Sequence, residues 1–303
     1  MNRYDQLIAD LSNDYRPQRE WGEGRGLLLV IGHFFVGVAG GTWLLSTIYG
    51  ITAGFVVAYV FAALGGIVHL MFLGHPEVAF KMMRNVRTSW VSRGFVGLSL
   101  FLLGGGVYLA ITLSSLDGPW LTAAFFAQIV AVLGALTVVG YMGFCYTASK
   151  AIPYWHSPLH PALYIAYAIR GGVAALLVIA ALDSAPANSM LLPLWIATSG
   201  MATLFFIFET QGAWTSGNIA AKWSVRDVLS GRLAISFYGG TLVIGLVIPV
   251  FLLVSSSDHP PIVMALIGIA SAAGDFFMKL TTVKAGVYLP LIIPSRRSPA
   301  IIR

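Results

Sequence analysis

This chain is poor in charge. Asp, Glu, Lys and Arg together make up 10% of its 303 residues, against about 25% in an ordinary soluble domain. With 57% of the residues hydrophobic, the solvent that fits most of the sequence is lipid. Polar sequence between the apolar runs is equally scarce. It leaves no stretch for a folded extramembrane catalytic domain of roughly 100 residues or more, so hard chemistry is expected on a partner. Cys145 is the sole cysteine. It excludes an internal disulfide and an intrinsic iron–sulfur cluster, which needs about four thiolates, and reads as a small buried hydrophobe. No Walker-type or dinucleotide-binding glycine pattern occurs in a strand–turn–helix context. No bound metal is expected in this chain, and nucleic acid is not among its expected partners.

The first 26 residues are polar and charged, with no basic segment leading into an apolar one, so no cleavable signal peptide is expected. Within that tail Leu7, Ile8, Leu11 and Tyr15 recur at helical spacing among acidic residues. They predict a short amphipathic helix on a partner or on the membrane surface.

A hydrocarbon core about 30 Å thick takes roughly 20 apolar residues as a helix. Windows of that length can be drawn at 27–49, 52–73, 94–115, 121–146, 162–183, 189–209, 232–255 and 261–280. The runs are continuous and not alternating, so helices are expected in place of a barrel. The expected fold is an all-α integral membrane protein. Eight transmembrane helices with short loops occupy 27–280, between an N-terminal tail (1–26) and a C-terminal tail (281–303).

An even span count puts both termini on one side. Sixteen of the eighteen Lys and Arg residues fall in the tails and loops of that side, whereas the opposite turns carry Asp117, Asp183 and Asp258 and no basic residue. The positive-inside rule then places the termini and basic loops in the cytoplasm. The alternative is that the basic loops form a docking face for an acidic partner.

Ionisable residues inside spans cost several kcal/mol unless paired or facing a cavity, and are the default functional candidates. They are His33, His69, Arg170, Glu209, Asp275 and Lys279, all in the half of the bilayer nearer the basic loops. A transporter needs polar groups through the midplane or on both sides of it. A pocket for an amphiphile's headgroup needs them at one depth, and a quinone suits such a pocket: its tail partitions into lipid while two ring oxygens need hydrogen-bond partners and proton acceptors. Asp275 and Lys279, four apart with the acid first, read as a helical ion pair. Glu209, at an expected helix end, reads as solvated, and Arg170 as the partner of Glu209 or Asp275. His33 and His69 on adjacent helices are candidates for the quinone site, or for axial ligation of a b-type haem.

The stretch FLGHPEVAFKMMRNVRTSWVSRG at Phe72 to Gly94, the Ala-Ile-Pro-x-Trp segment at Ala151 to Trp155 and GDFFMKLTTVKAGVY at Gly274 to Tyr288 resemble the NrfD/DmsC/PsrC family of membrane anchor subunits. The resemblance covers essentially the whole eight-span layout. It implies two four-helix bundles in a prokaryotic inner membrane, in a subunit without metal cofactors. That subunit exchanges electrons between membrane quinone (menaquinone or ubiquinone) and a four-cluster [4Fe-4S] ferredoxin-like partner of a molybdenum or tungsten molybdopterin enzyme. It further implies a quinone site near the docking face, among the first spans and the end of the fourth: His33, His69, Arg93, Tyr141 and Tyr146, with Lys150 nearby. Arg170, Glu209, Asp275 and Lys279 remain for a proton relay or ion pairs, and Lys81, Arg84 and Arg87 for docking. Two positions depart from the dimethyl sulfoxide reductase anchors: Phe72 replaces a histidine, and Gly94 replaces a glutamate implicated in quinol binding. His69, Glu209 and Asp275 are the candidate substitutes.

Overall fold

The structure, a computed structural model, describes residue 5 and residues 15–183, 190–256 and 258–290. Among these, eight helices are long and apolar enough to cross a membrane. They are α1 (Leu27–Tyr49), α2 (Thr52–Phe72), α3 (Trp90–Leu113), α4 (Pro119–Thr147), α5 (His160–Leu182), α6 (Leu191–Thr215), α8 (Ser236–Ser255) and α9 (Pro261–Lys284). A short helix, α7 (Ile219–Leu229), lies between α6 and α8, and a 3₁₀ segment, Pro76–Asn85, follows α2. The helices satisfy their own backbone groups, which lipid cannot do for them. Their outward faces are apolar, as at Leu103, Phe125, Phe126, Phe251 and Val254.

The helices divide into two bundles, α1–α4 and α5, α6, α8 and α9, joined where α1 packs on α5. In the first bundle Trp43 of α1 is fully buried and meets Phe55, Phe101 and Tyr108 edge-on at 4.8, 5.1 and 5.9 Å between ring centroids. In the second, Val173, Leu176 and Leu177 of α5 pack with Leu191, Trp195, Met264 and Ile267. The most apolar stretches of α1 and α5 are each 61% buried, against 22% for α2 and α8. Most side chains that leave α1 and α5 therefore point into protein, whereas most of those on α2 and α8 do not.

Several helix ends differ from the sequence reading, each for a local reason. α3 starts at Trp90, four residues early, because the Ser89 hydroxyl caps it by accepting from the Ser92 N–H at 3.3 Å. α5 starts at His160, because Pro161 sits in its first turn, where a missing N–H costs nothing. α6 runs on to Thr215 and α9 to Lys284. The seventh span begins at Ser236, and its first twelve residues are wound as a π-helix.

The basic face carries a knot made from both tails. Gln18 N–H donates to Gly286 O at 2.7 Å, Tyr288 N–H to Arg16 O at 2.9 Å and Leu289 N–H to Ala151 O at 2.9 Å. The Glu23 carboxylate sits amid Arg19, Arg232 and Lys284 at 3.2, 3.6 and 3.8 Å. The indole N–H of Trp155 donates to Thr282 O at 2.9 Å. Residues 281–290, expected as tail, thus complete α9 and close the face. The amphipathic helix expected around Leu7, Ile8 and Leu11 lies outside the described residues.

Candidate functional site

Just beneath the knot, α1, α2 and α4 bring four of the expected quinone-site residues together. His33 of α1 and His69 of α2 lie with ring centroids 4.9 Å apart. Tyr141 and Tyr146 of α4 each meet His33 edge-on at 6.2 Å, and the Tyr146 hydroxyl is 3.4 Å from His33 Nδ1. Gly32 makes room for the pair: a Cβ on it would come within 2.7 Å of the His69 ring. At about 1.5 Å per residue, these four side chains start within about 9 Å of the helix ends at the basic face.

The hydrogen bonds assign the His69 tautomer. Its Nδ1 lies 2.7 Å from Gly65 O; a carbonyl only accepts, so Nδ1 carries the proton and donates. Nε2 of the neutral ring is then a bare acceptor, and it is buried with no partner among the described residues. A buried acceptor left unmatched is costly, and a ligand hydroxyl would satisfy it.

On the outer side of Tyr141 lies a groove of about 410 Å³ between α3 and α4, lined at the basic end by Trp90, Arg93, Tyr141 and Phe144 and further in by Leu100 and Leu136. Leu100 and Leu136 are 38% and 54% exposed on the outside of the bundle, so the groove opens where lipid tails lie. Arg93 is fixed at the rim: its guanidinium donates to Val86 O and Arg87 O at 2.9 and 2.8 Å and lies 4.1 Å from the Trp90 ring centroid. Trp90 in turn stacks on Phe144 at 4.4 Å. Lys150 stands exposed on the loop beyond α4, outside this group.

Behind Tyr146 the polar groups continue. Its ring is 5.4 Å from that of Tyr164 and 5.6 Å from that of His160. His160 Nδ1 meets Glu209 Oε1 at 2.5 Å, with both side chains at most 1% exposed. Glu209 is thus not solvated, as its expected place at a helix end suggested. α6 extends six residues past it, and the carboxylate turns inward to His160. Burial and the nearby Glu209 carboxylate push the phenol of Tyr154, in the loop before α5, well above its ordinary range.

Deeper, Arg170 pairs with Asp275 at 3.2 Å and also donates to Gly245 O of the π-wound segment. The direct ionic contact of Asp275 is therefore with Arg170 on another helix and not with Lys279. The Lys279 ammonium instead lies 5.4 Å from the Tyr164 ring centroid, within electrostatic reach of Asp275 and His33.

The two histidines do not fit a haem between them: at 4.9 Å the imidazoles touch each other and leave no gap for a porphyrin plane. His160 and Tyr164 are the members of the cluster that the sequence reading missed. A span drawn from residue 162 left His160 in a loop, and Pro161 as a first-turn residue was the signal that could have moved the boundary.

Fold and site together define a polytopic helical membrane protein with a buried titratable cluster beside a lipid-facing groove. A family model described as "Polysulphide reductase, NrfD" matches residues 21–290. The chain belongs to the NrfD family and is a membrane subunit of a redox enzyme complex. No curated protein matches it.

Proposed function

We propose that this subunit is the quinone-reactive anchor of a molybdenum or tungsten oxidoreductase, exchanging electrons between the membrane quinone pool and a four-cluster iron–sulfur subunit. One observation carries the reading. Behind Tyr141, the inner wall of a groove open to lipid, sit two touching imidazoles, and one of them holds a buried nitrogen with nothing to accept. A quinol's tail suits the Leu100 and Leu136 end of the groove, and its ring the Arg93 and Tyr141 end.

Oxidation of the quinol releases two electrons and two protons. Neither histidine lines the groove, so a ring hydroxyl's proton reaches Nε2 of His69, the general base, by way of Tyr141, with His33 as the second acceptor. Tyr141 orients the ring between groove and histidines. The electrons leave toward the basic face, where the iron–sulfur partner docks. Lys81, Arg84 and Arg87, all exposed beside the apolar Phe80 and Met83, are the docking residues. The basic face is cytoplasmic by the positive-inside rule, which favours a substrate reduced or oxidised on that side. A headgroup pocket is favoured over a transporter because the histidine and tyrosine cluster lies within about 9 Å of the basic-side helix ends, while the deeper charges Arg170 and Asp275 are paired with each other.

The test is His69→Ala in the complex purified with its partners. Quinone-coupled turnover is expected to fall roughly a hundredfold, while activity with an artificial dye that bypasses the membrane subunit persists. Unchanged quinone turnover would remove His69 from the site.

A further inference from the structure

We infer that the buried pair of His160 and Glu209 is a proton-accepting dyad for the same site, reached from His33 through Tyr146. This rests on the quinol reading above. Three features of the geometry support it.

First, the pair is half-satisfied in a place where that is expensive. Nδ1 of His160 and Oε1 of Glu209 are joined, but among the described residues Nε2 of His160 and Oε2 of Glu209 have no hydrogen-bond partner, and both side chains are sealed from solvent. His160 repeats the arrangement of His69: Nδ1 tied as a donor, Nε2 left as a bare base.

Second, one side chain of the right kind stands between the two histidine sites: Tyr146 reaches His33 with its hydroxyl and His160 with its ring, and His160 Nε2 accepts once the phenol swings across that last gap. The Tyr146 hydroxyl stands 3.4 Å from His33 Nδ1, and its ring abuts both His160 and Tyr164, which stack on each other at 5.2 Å. A phenol donates one proton while accepting another, so Tyr146 can pass a proton on and stay neutral.

Third, the dyad lies toward the way out. His160 is the first residue of α5 at the basic face, and Glu209 acts electrostatically on Tyr154 of the loop outside the membrane. Arg170 and Asp275 lie about 14–15 Å in from the same helix ends at 1.5 Å per residue. Asp275 faces two cations, Arg170 in direct contact and Lys279 within electrostatic reach, and both oppose its protonation, whereas Glu209 is joined to an imidazole that can itself hand over a proton.

The quinol loses two electrons to the iron–sulfur partner and two protons to the protein, becoming quinone. One proton goes to His69. The other passes by way of His33 and Tyr146 to His160, whose Nδ1 proton moves to the Glu209 carboxylate, leaving a neutral carboxylic acid and a neutral imidazole.

The test uses the intact complex in detergent with a short-tailed quinol analogue. In His160→Gln and in Glu209→Gln, analogue binding is expected to stay within about twofold, quinol turnover to fall about tenfold or more, and the solvent deuterium isotope effect on turnover to rise. A merely structural pair would leave the isotope effect unmoved. Independently of any variant, infrared difference spectra of the unsubstituted complex should show a carboxylic-acid carbonyl band on quinol oxidation that shifts with ¹³C-glutamate. Quinol turnover without such a band overturns the dyad alone. Failure of the unsubstituted complex to bind or oxidise the analogue overturns the quinone reading and the dyad together.

Discussion

The ring of Tyr141 lies directly against the bare Cα of Gly94, so that a Cβ at position 94 would run into Cδ2 and Cε2 of the tyrosine. α3 and α4 can close around the groove only because position 94 has no side chain. A glutamate at position 94, which the family resemblance led one to expect, is therefore sterically incompatible with Tyr141 as it stands. In the proposed quinone site, acid–base work is assigned instead to His33 and His69, which approach from α1 and α2.

Gly94→Glu is expected to displace Tyr141 and cost about 1–3 kcal/mol, the usual penalty for forcing volume into a packed core. Thermal unfolding of the purified subunit in detergent measures the cost. Pairing it with Tyr141→Ala, which empties the colliding space, should restore part of the lost stability. A Gly94→Glu variant as stable as the parent would contradict the close approach.

The Arg170 and Asp275 pair should behave as a coupled unit. Breaking a buried ion pair by removing one partner typically costs about 3–5 kcal/mol, whereas replacing both by apolar residues is close to neutral. Arg170→Met alone should destabilise strongly, and Arg170→Met with Asp275→Leu should recover most of the loss. A double-mutant cycle on unfolding free energy reads the coupling, and additive effects would mean that the two charges do not act together.

Charge reversal at Arg84 and Arg87 is expected to release the soluble partner subunits from membranes while binding of a quinol analogue to the anchor persists. Both side chains are exposed on the basic face, away from the histidines. Fractionation followed by blotting for the partners checks it. Retained assembly would move the docking surface elsewhere on that face.

Trp155→Phe should loosen the tail knot. It removes the indole N–H that reaches Thr282 O and the stacking on Trp21, whose ring centroid is 5.4 Å away. A net loss of about 1–2 kcal/mol is expected from a buried hydrogen bond together with an aromatic contact. By contrast Glu23→Gln, on a carboxylate about a third exposed, should cost at most about 1 kcal/mol, as partly solvated ion pairs do. Limited proteolysis of the two tails distinguishes them, with faster cleavage expected for Trp155→Phe.

Much of the site was legible one residue at a time. His33 and His69 stand out because an ionisable group in an apolar run is expensive, and their common depth follows from counting residues along two helices. Pairings across helices were not legible in the same way. Asp275 and Lys279 satisfy the local rule for a helical pair, yet Arg170, distant in sequence, takes the direct contact because α5 presents it at the height of the carboxylate. Glu209 looked solvated only because its helix was drawn six residues short.

Taken alone, the sequence determined that the chain crosses the membrane eight times, which side of it is basic, and that its costly groups gather near that side. Each of these follows from the length of an apolar run, the price of burying charge in lipid, or the alternation of loops. Only the tertiary structure decided which of those groups touch: that Gly94 yields its space to Tyr141, that His160 rather than bulk water faces Glu209, and that the groove opens between α3 and α4. Such contacts depend on how two helices are rotated about their axes where they meet. Within a helix whose every face is apolar, the residue pattern does not encode that rotation.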